Sequence, residues 1–221
     1  MGEPKRKRPT IHQLYRRFLN REDSAGFVRA VSQIYTSATL HRLATGGDRL
    51  SRRAAILAIS YLGGRESMHS IGHALQDSDR IVRLLAEDGI RAVWFRAGES
   101  NQTLKLQRVA RLNSCGQFEL AADLATQVIN ADPGYAEAWN QRAIAAYGMH
   151  DYYEAIADCQ ATLELNPYHF PAATGLAHCY LEMDDQSSAL EAFRLALKIY
   201  PDSEYARSRI RQLIRSLELD S

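Results

Sequence analysis

Residues 136–167 read Ala136-Glu137-Ala138-Trp139-Asn140-Gln141-Arg142-Ala143-Ile144-Ala145-Ala146-Tyr147-Gly148-Met149-His150-Asp151-Tyr152-Tyr153-Glu154-Ala155-Ile156-Ala157-Asp158-Cys159-Gln160-Ala161-Thr162-Leu163-Glu164-Leu165-Asn166-Pro167. Two amphipathic segments flank a turn at Gly148-Met149-His150-Asp151, and Pro167 closes the second segment. Proline cannot continue a helix and biases its predecessor away from helix, so this is a helix–turn–helix unit with a built-in stop. The unit recurs. Pro133, Pro167 and Pro201 are spaced by 167−133=34 and 201−167=34 residues. Twelve residues before each proline stands Ala121, Ala155 or Ala189, where two helices cross too closely for a larger side chain. The equivalent turns are Ser114-Cys115-Gly116-Gln117 and Met183-Asp184-Asp185-Gln186. One such unit cannot bury its own apolar stripe, whereas stacked units can.

These units resemble tetratricopeptide repeats, over residues 102–203. The small position of the first helix is filled by Val109, Ala143 and Ala177, and the preceding position, usually Leu, by Arg108, Arg142 and Leu176. Residues 204–221 predict a further, capping helix, with an apolar stripe of Tyr205, Ile210, Leu213, Ile214 and Leu217.

The N-terminal half repeats differently. Asp48-Arg49-Leu50-Ser51-Arg52 aligns with Asp79-Arg80-Ile81-Val82-Arg83 at an offset of 79−48=31. Gly46-Gly47 and Gly63-Gly64 fall where helix C-caps belong. The pattern resembles HEAT-type repeats over residues 23–97. That resemblance implies that Asp48 and Asp79 pair with Arg52 and Arg83 between neighbouring repeats. Residues 1–22 read as a basic tail followed by a helix from Thr10 that covers the first repeat. The whole predicts an all-α, right-handed α-solenoid: HEAT-like units, three tetratricopeptide units and a cap.

The chain of 221 residues carries a net charge of +1, unevenly distributed. Residues 1–100 hold 17 basic and 10 acidic residues (+7), and the remainder 27−17=10 basic and 26−10=16 acidic (−6). Cys115, Cys159 and Cys179 are odd in number and lack CxxC spacing, which suits a reducing, cytoplasmic compartment. No apolar run reaches the roughly 18–20 residues of a membrane span, and no apolar segment of a secretory signal follows the basic N-terminus. Lys5, Arg6, Lys7 and Arg8 form a basic patch that in a eukaryotic chain would serve as a nuclear address.

Catalytic chemistry finds no foothold. There is no GxGxxG and no P-loop. His69 and His73 share a helix face at ligand spacing but lack a third ligand nearby, and no metal or cofactor is expected. Cys159 and Cys179 read as small core residues. The expected function is that of a non-enzymatic scaffold that takes a partner protein or peptide in a concave groove.

In the tetratricopeptide frame, the groove positions include Leu106, Asn113, Asn140, Ile144, Tyr147, Thr174, His178 and Leu181. Asn113 and Asn140 are expected to hydrogen-bond a peptide backbone, with Leu106, Ile144, Tyr147 and Leu181 supplying apolar contact. The cationic clamp with which chaperone-binding members of the family hold a C-terminal carboxylate is missing. Leu106, Ala110, Gln141, Pro171 and Gly175 stand at its positions. The alternative is an adaptor for nucleic acid or an anionic surface, working through Arg49, Arg52, Arg53, Arg80, Arg83 and the basic patch.

Overall fold

The computed structural model describes residues 10–219, so Lys5, Arg6, Lys7 and Arg8 lie outside the described residues. Among these, the chain forms thirteen α-helices and one short 3₁₀ turn, and no strand. It divides into two compact units between Val93 and Trp94, within helix α6 (Arg80–Arg96).

The first unit holds α1 (Ile11–Arg21), α2 (Ser24–Ile34), α3 (Ser37–Gly46), α4 (Arg49–Leu62), α5 (Met68–Ala74) and most of α6. Helix α1 starts at a capping box in which Thr10 and Gln13 satisfy each other's backbone N–H. Helix α4 is the core of this unit: six consecutive residues, Ala54, Ala55, Ile56, Leu57, Ala58 and Ile59, are buried. Burial on every face follows from neighbours on several sides, α1, α2, α3 and α5.

Gly47 and Gly63 do cap α3 and α4, but with φ of −77° and −72° rather than left-handed values. They are glycines because a Cβ would stand 2.5 Å from the Leu43 carbonyl oxygen and 2.7 Å from that of Ile59.

The arginines of α4 bridge to the turn before α6. Arg52 makes a bidentate pair with Asp77 at 2.7 and 2.9 Å, and Arg53 with Asp79 at 3.0 and 2.7 Å. Asp48 instead caps α4 through Ser51 N–H and meets His12. The expected pairs of Asp48 and Asp79 with Arg52 and Arg83 are therefore replaced by others: Arg52 takes Asp77, and Asp79 goes to Arg53. The two carboxylates are two residues apart and the two arginines adjacent, so each fork finds its own acid.

The second unit is built of three helical hairpins and a last helix: α7 (Ser100–Ser114) with α8 (Phe118–Ala131), α9 (Ala136–Gly148) with α10 (Tyr152–Leu165), α11 (Phe170–Glu182) with α12 (Gln186–Ile199), then α13 (Glu204–Leu219). The hairpin turns are copies of one another. Gly116, His150 and Asp184 take φ of 73°, 61° and 58°. The following N–H in each closes on the helix behind it: Gln117 to Leu112 O, Asp151 to Ala146 O and Asp185 to Tyr180 O, at 3.0, 2.9 and 2.9 Å. This is a Schellman stop, repeated at the period read from the prolines. Asp151 and Asp185 then cap α10 and α12 through Glu154 and Ser188 N–H.

Ala121, Ala155 and Ala189 are fully buried, as close crossing demands. In the first hairpin Leu106, Val109, Ala121, Ala125, Val128 and Tyr135 form the core. On α13 the stripe is only partly covered: Leu213 is buried, Tyr205 half exposed.

Candidate functional site

Helix α9 presents Asn140, Ala143, Ile144 and Tyr147 at helical spacing along one face. Opposite stand Pro171, Gly175, His178 and Cys179 of α11, with Cys159 of α10 at the base. Together they enclose an apolar cavity of about 340 Å³. Its width depends on small residues where α9 and α11 face each other: Ala143, Gly175 and the two thiols. Ile144 is apolar yet 42% exposed among the described residues, so it stands at the mouth. A second hollow, of about 410 Å³, lies between α11 and α12, but its lining includes Ser187, Ser188 and Glu191 and it lacks such an apolar wall.

The thiols lining the cavity are poor nucleophiles. Burial pushes Cys179 up to about 11 and Cys159 well above its ordinary range. Burial, then the nearby Arg209 charge, hold His178 below its usual 6.5, so the ring is uncharged at neutral pH. Its Nε2 lies 2.9 Å from the Tyr205 hydroxyl on α13. Tyr147 is pushed up to about 12 by burial and by its hydrogen bond to a carboxylate: its hydroxyl donates to Glu182 Oε1 at 3.0 Å. The Tyr152 hydroxyl lies 3.5 Å from Glu182 Oε2, and the two tyrosine rings are 5.6 Å apart.

Beside the cavity lies a buried polar network. Glu137, 4% exposed, accepts at Oε1 from Asn140 (3.1 Å) and Gln141 (2.7 Å), and at Oε2 from His169 Nε2 (2.8 Å). The other ring nitrogen of His169, Nδ1, accepts the Ala172 N–H at 3.1 Å and so caps α11. That acceptor role makes Nε2 the protonated nitrogen, the one facing Glu137. Trp94 stacks on the His169 ring at 4.1 Å. Asn113 donates to Gln141 O and Oε1 at 2.9 and 3.1 Å, and its own Oδ1 is buried without a hydrogen-bond partner. The network ties α7, α9 and the start of α11 together and fixes the angle at which α9 and α11 open.

The residues expected in the groove separate into two sets. Asn140, Ile144, Tyr147 and His178 come together around the cavity. Leu106 does not: it is wholly buried in the first hairpin's core and offers no surface. Asn113 spends its N–H groups inside the protein, so it cannot offer them to a peptide. Thr174 returns its hydroxyl to Phe170 O in its own helix, and neither it nor Leu181 lines the cavity. Both Leu106 and Asn113 sit in the first repeat, where Val109 replaces the usual small residue. Gln141, which pulls Asn113 inward, could have been suspected from its polar character at a position facing the preceding hairpin.

Elsewhere the basic ridge of the first unit is largely consumed by its own acids: Arg52 and Arg53 are bidentate to Asp77 and Asp79, and Arg49 reaches Asp79 at 3.3 Å. His69 and His73 lie on α5 with ring centroids 6.3 Å apart, and among the described residues no group of three or more metal-capable side chains gathers. No helix among them is long and apolar enough to cross a membrane.

Hairpins with an identical stop at a constant period, stacked so that first helices line a shared cavity, define a helical-repeat scaffold. The tetratricopeptide-repeat family model matches residues 146–210. A TPR repeat-containing protein of Rhizobium etli is 28% identical over 142 residues, covering 64% of this chain and 69% of that protein. A "Protein SGT1 homolog" of Oryza sativa subsp. japonica is 34% identical over 91 residues, covering 41% of this chain and 25% of its own length. Among solved structures, the first TPR of Spaghetti (RPAP3) bound to an HSP90 peptide superimposes with a TM-score of 0.52 at 18% identity, over 55% of this chain and 96% of that one. Residues 146–210 thus match tetratricopeptide repeats, in the unit whose hairpins carry the recurring stop.

Proposed function

We propose that this protein is a non-catalytic adaptor that captures a segment of a partner protein in the cavity between α9 and α11. The observation that carries the reading is an open apolar cavity whose rim residue Ile144 stays 42% exposed among the described residues. Fixed hairpin angles support it, since a pre-organised groove lowers the ordering cost of binding. Asn140 and Tyr147 supply polar edges to orient the ligand.

The similar structure of Spaghetti holds an HSP90 peptide, but a chaperone tail is not the ligand proposed here. The positions where such a tail's carboxylate would be clamped carry Leu106, Ala110, Gln141, Pro171 and Gly175, and the buried carboxylate of Glu137 lies beside them. In the first unit, the arginine–aspartate bridges between helical pairs support a HEAT-like reading. Three unpaired thiols support a reducing, cytoplasmic location.

The test is site-specific photocrosslinking. A photoreactive residue replacing Ile144 should trap a discrete partner, and one replacing Tyr153, 77% exposed on α10, should not. The Asn140→Ala/Tyr147→Ala double variant should lose the partner while keeping its helical circular-dichroism signal. Equal trapping from both positions, or unchanged capture by the double variant, would overturn the reading. Capture that vanishes with nuclease would move the function to the basic half.

A further inference from the structure

The Glu182 carboxylate, at the C-terminal end of α11, is exposed and carries its charge beside the cavity. Its hydrogen bonds among the described residues come from the hydroxyls of Tyr147 and, at 3.5 Å, of Tyr152, which also lies 2.8 Å from His150 Nδ1. Among the described residues no Lys, Arg or His forms an ion pair with it. The cation felt by His178, Arg209, has its guanidinium over the Phe193 ring at 5.8 Å and its NH1 on Gln212. An exposed carboxylate held by the Tyr147 hydroxyl and flanked by two tyrosine rings, centroids 5.6 Å apart and planes tilted by 59°, is a receptor for a cation. The tyrosine hydroxyls hold the carboxylate in place, and the electron-rich ring faces add their own attraction.

The wider field agrees. From Trp94 onward the chain carries 11 basic and 17 acidic residues, a net of 11−17=−6. A positively charged segment would be steered toward this unit and an acidic one repelled.

Tyr147 belongs to both features: its ring lines the apolar cavity and its hydroxyl holds Glu182. The two subsites are therefore one side chain apart. We propose that the partner segment is basic and amphipathic: an apolar side chain fills the cavity, and a Lys or Arg about two residues away, roughly 7 Å in an extended ligand, sits on Glu182 beside the tyrosine rings. This rests on the groove reading above and adds the sign of the ligand's charge.

The probe is a phage-displayed library of random dodecapeptides, selected on the full chain. Recovered peptides should be enriched in Lys or Arg close to Leu, Ile, Met or Phe. A recovered peptide is then measured by fluorescence anisotropy at low and high salt. Glu182→Gln keeps the acceptor for Tyr147 and should weaken binding about three- to ten-fold, with loss of most of the salt dependence. Replacing the peptide's Lys by Glu should weaken binding to the wild type more than to Glu182→Gln. Peptides enriched in acidic residues, or equal affinity for Glu182→Gln and wild type, would overturn the cationic inference. Ile144→Asp separates the two proposals. If it abolishes binding while Glu182→Gln does nothing, the groove stands and the charge assignment falls. If peptides bind Ile144→Asp normally, or none is recovered, the groove itself is wrong.

Discussion

Replacing Glu137 by alanine tests whether the buried network sets the opening of the cavity. Its carboxylate receives three donors: Asn140 and Gln141 from its own helix and His169 from the next hairpin. Asn140, although 6% exposed, lines the open cavity, so water can reach its amide when its partner is removed. Gln141, 7% exposed and not part of the cavity lining, and His169, wholly buried, lack that route. Two buried donors without acceptors cost about 1–3 kcal/mol each, so Glu137→Ala should destabilise the protein by about 2–6 kcal/mol. At roughly 2–4 °C per kcal/mol for a chain of this size, the melting point falls by some 4–24 °C.

Glu137→Gln is the sharper variant. Its amide can offer oxygen to Gln141 or to His169, but not to both, and its N–H₂ then meets a donor. His169 cannot change tautomer to help, because Nδ1 is occupied by the Ala172 N–H. An isosteric change should therefore still cost about 1–3 kcal/mol. The assay is urea unfolding of each variant, completed as a double-mutant cycle with His169→Phe, which should show coupling above about 1 kcal/mol. A loss below about 1 kcal/mol for Glu137→Ala, or no coupling to position 169, would refute the argument.

Other consequences follow from the same geometry. Arg142 forms a bidentate pair with Asp158, itself 2% exposed, and lies 5.0 Å from the Trp139 ring; Arg142→Ala should cost about 3–5 kcal/mol by stranding a buried charge, and Arg142→Leu with Asp158→Ala should recover most of it in thermal melts. Asp184→Gly should raise stability by about 0.5–1 kcal/mol by relieving a φ of 58°, while Gly116→Ala at the equivalent turn should lower it by about 1 kcal/mol, both read from denaturation midpoints. Hydrogen bonding from Arg53 holds Asp79 at about 2, below the ordinary 3.8, so this carboxylate stabilises the fold above about pH 4 and the benefit fades as pH falls toward 2. Asp79→Asn should accordingly cost about 1–2 kcal/mol at neutral pH, allowing for solvent screening, falling to at most a few tenths of a kcal/mol at about pH 2.

The repeat was legible because its punctuation is chemical. Proline stops and buried alanines recur at a fixed period, and the turns fall at the same period whatever residue fills them. That is why His150 and Asp184 adopt the backbone of Gly116 although neither is glycine. Arg142, at a position where Leu is usual, was legible as a variant but not in its purpose. The reason is spatial: its partner Asp158 is on the next helix.

The groove was half legible. Position in the repeat gave Asn140, Ile144, Tyr147 and His178, because helical phase alone decides which face they occupy. Leu106 and Asn113 are turned inward instead, because burial there depends on Gln141 and Tyr135, which arrive from the following hairpin. In the first unit the bridging residue types were visible, but the choice between Asp77 and Asp79 depends on which fork each guanidinium reaches.

The central claim is that a partner segment enters the cavity between α9 and α11. Photocrosslinking from position 144, with position 153 as the control, tests it most directly. The account predicts a discrete crosslinked partner from position 144, absent from position 153 and lost when Asn140 and Tyr147 are both alanine. A partner trapped equally from both positions, or one indifferent to the double variant, would contradict it.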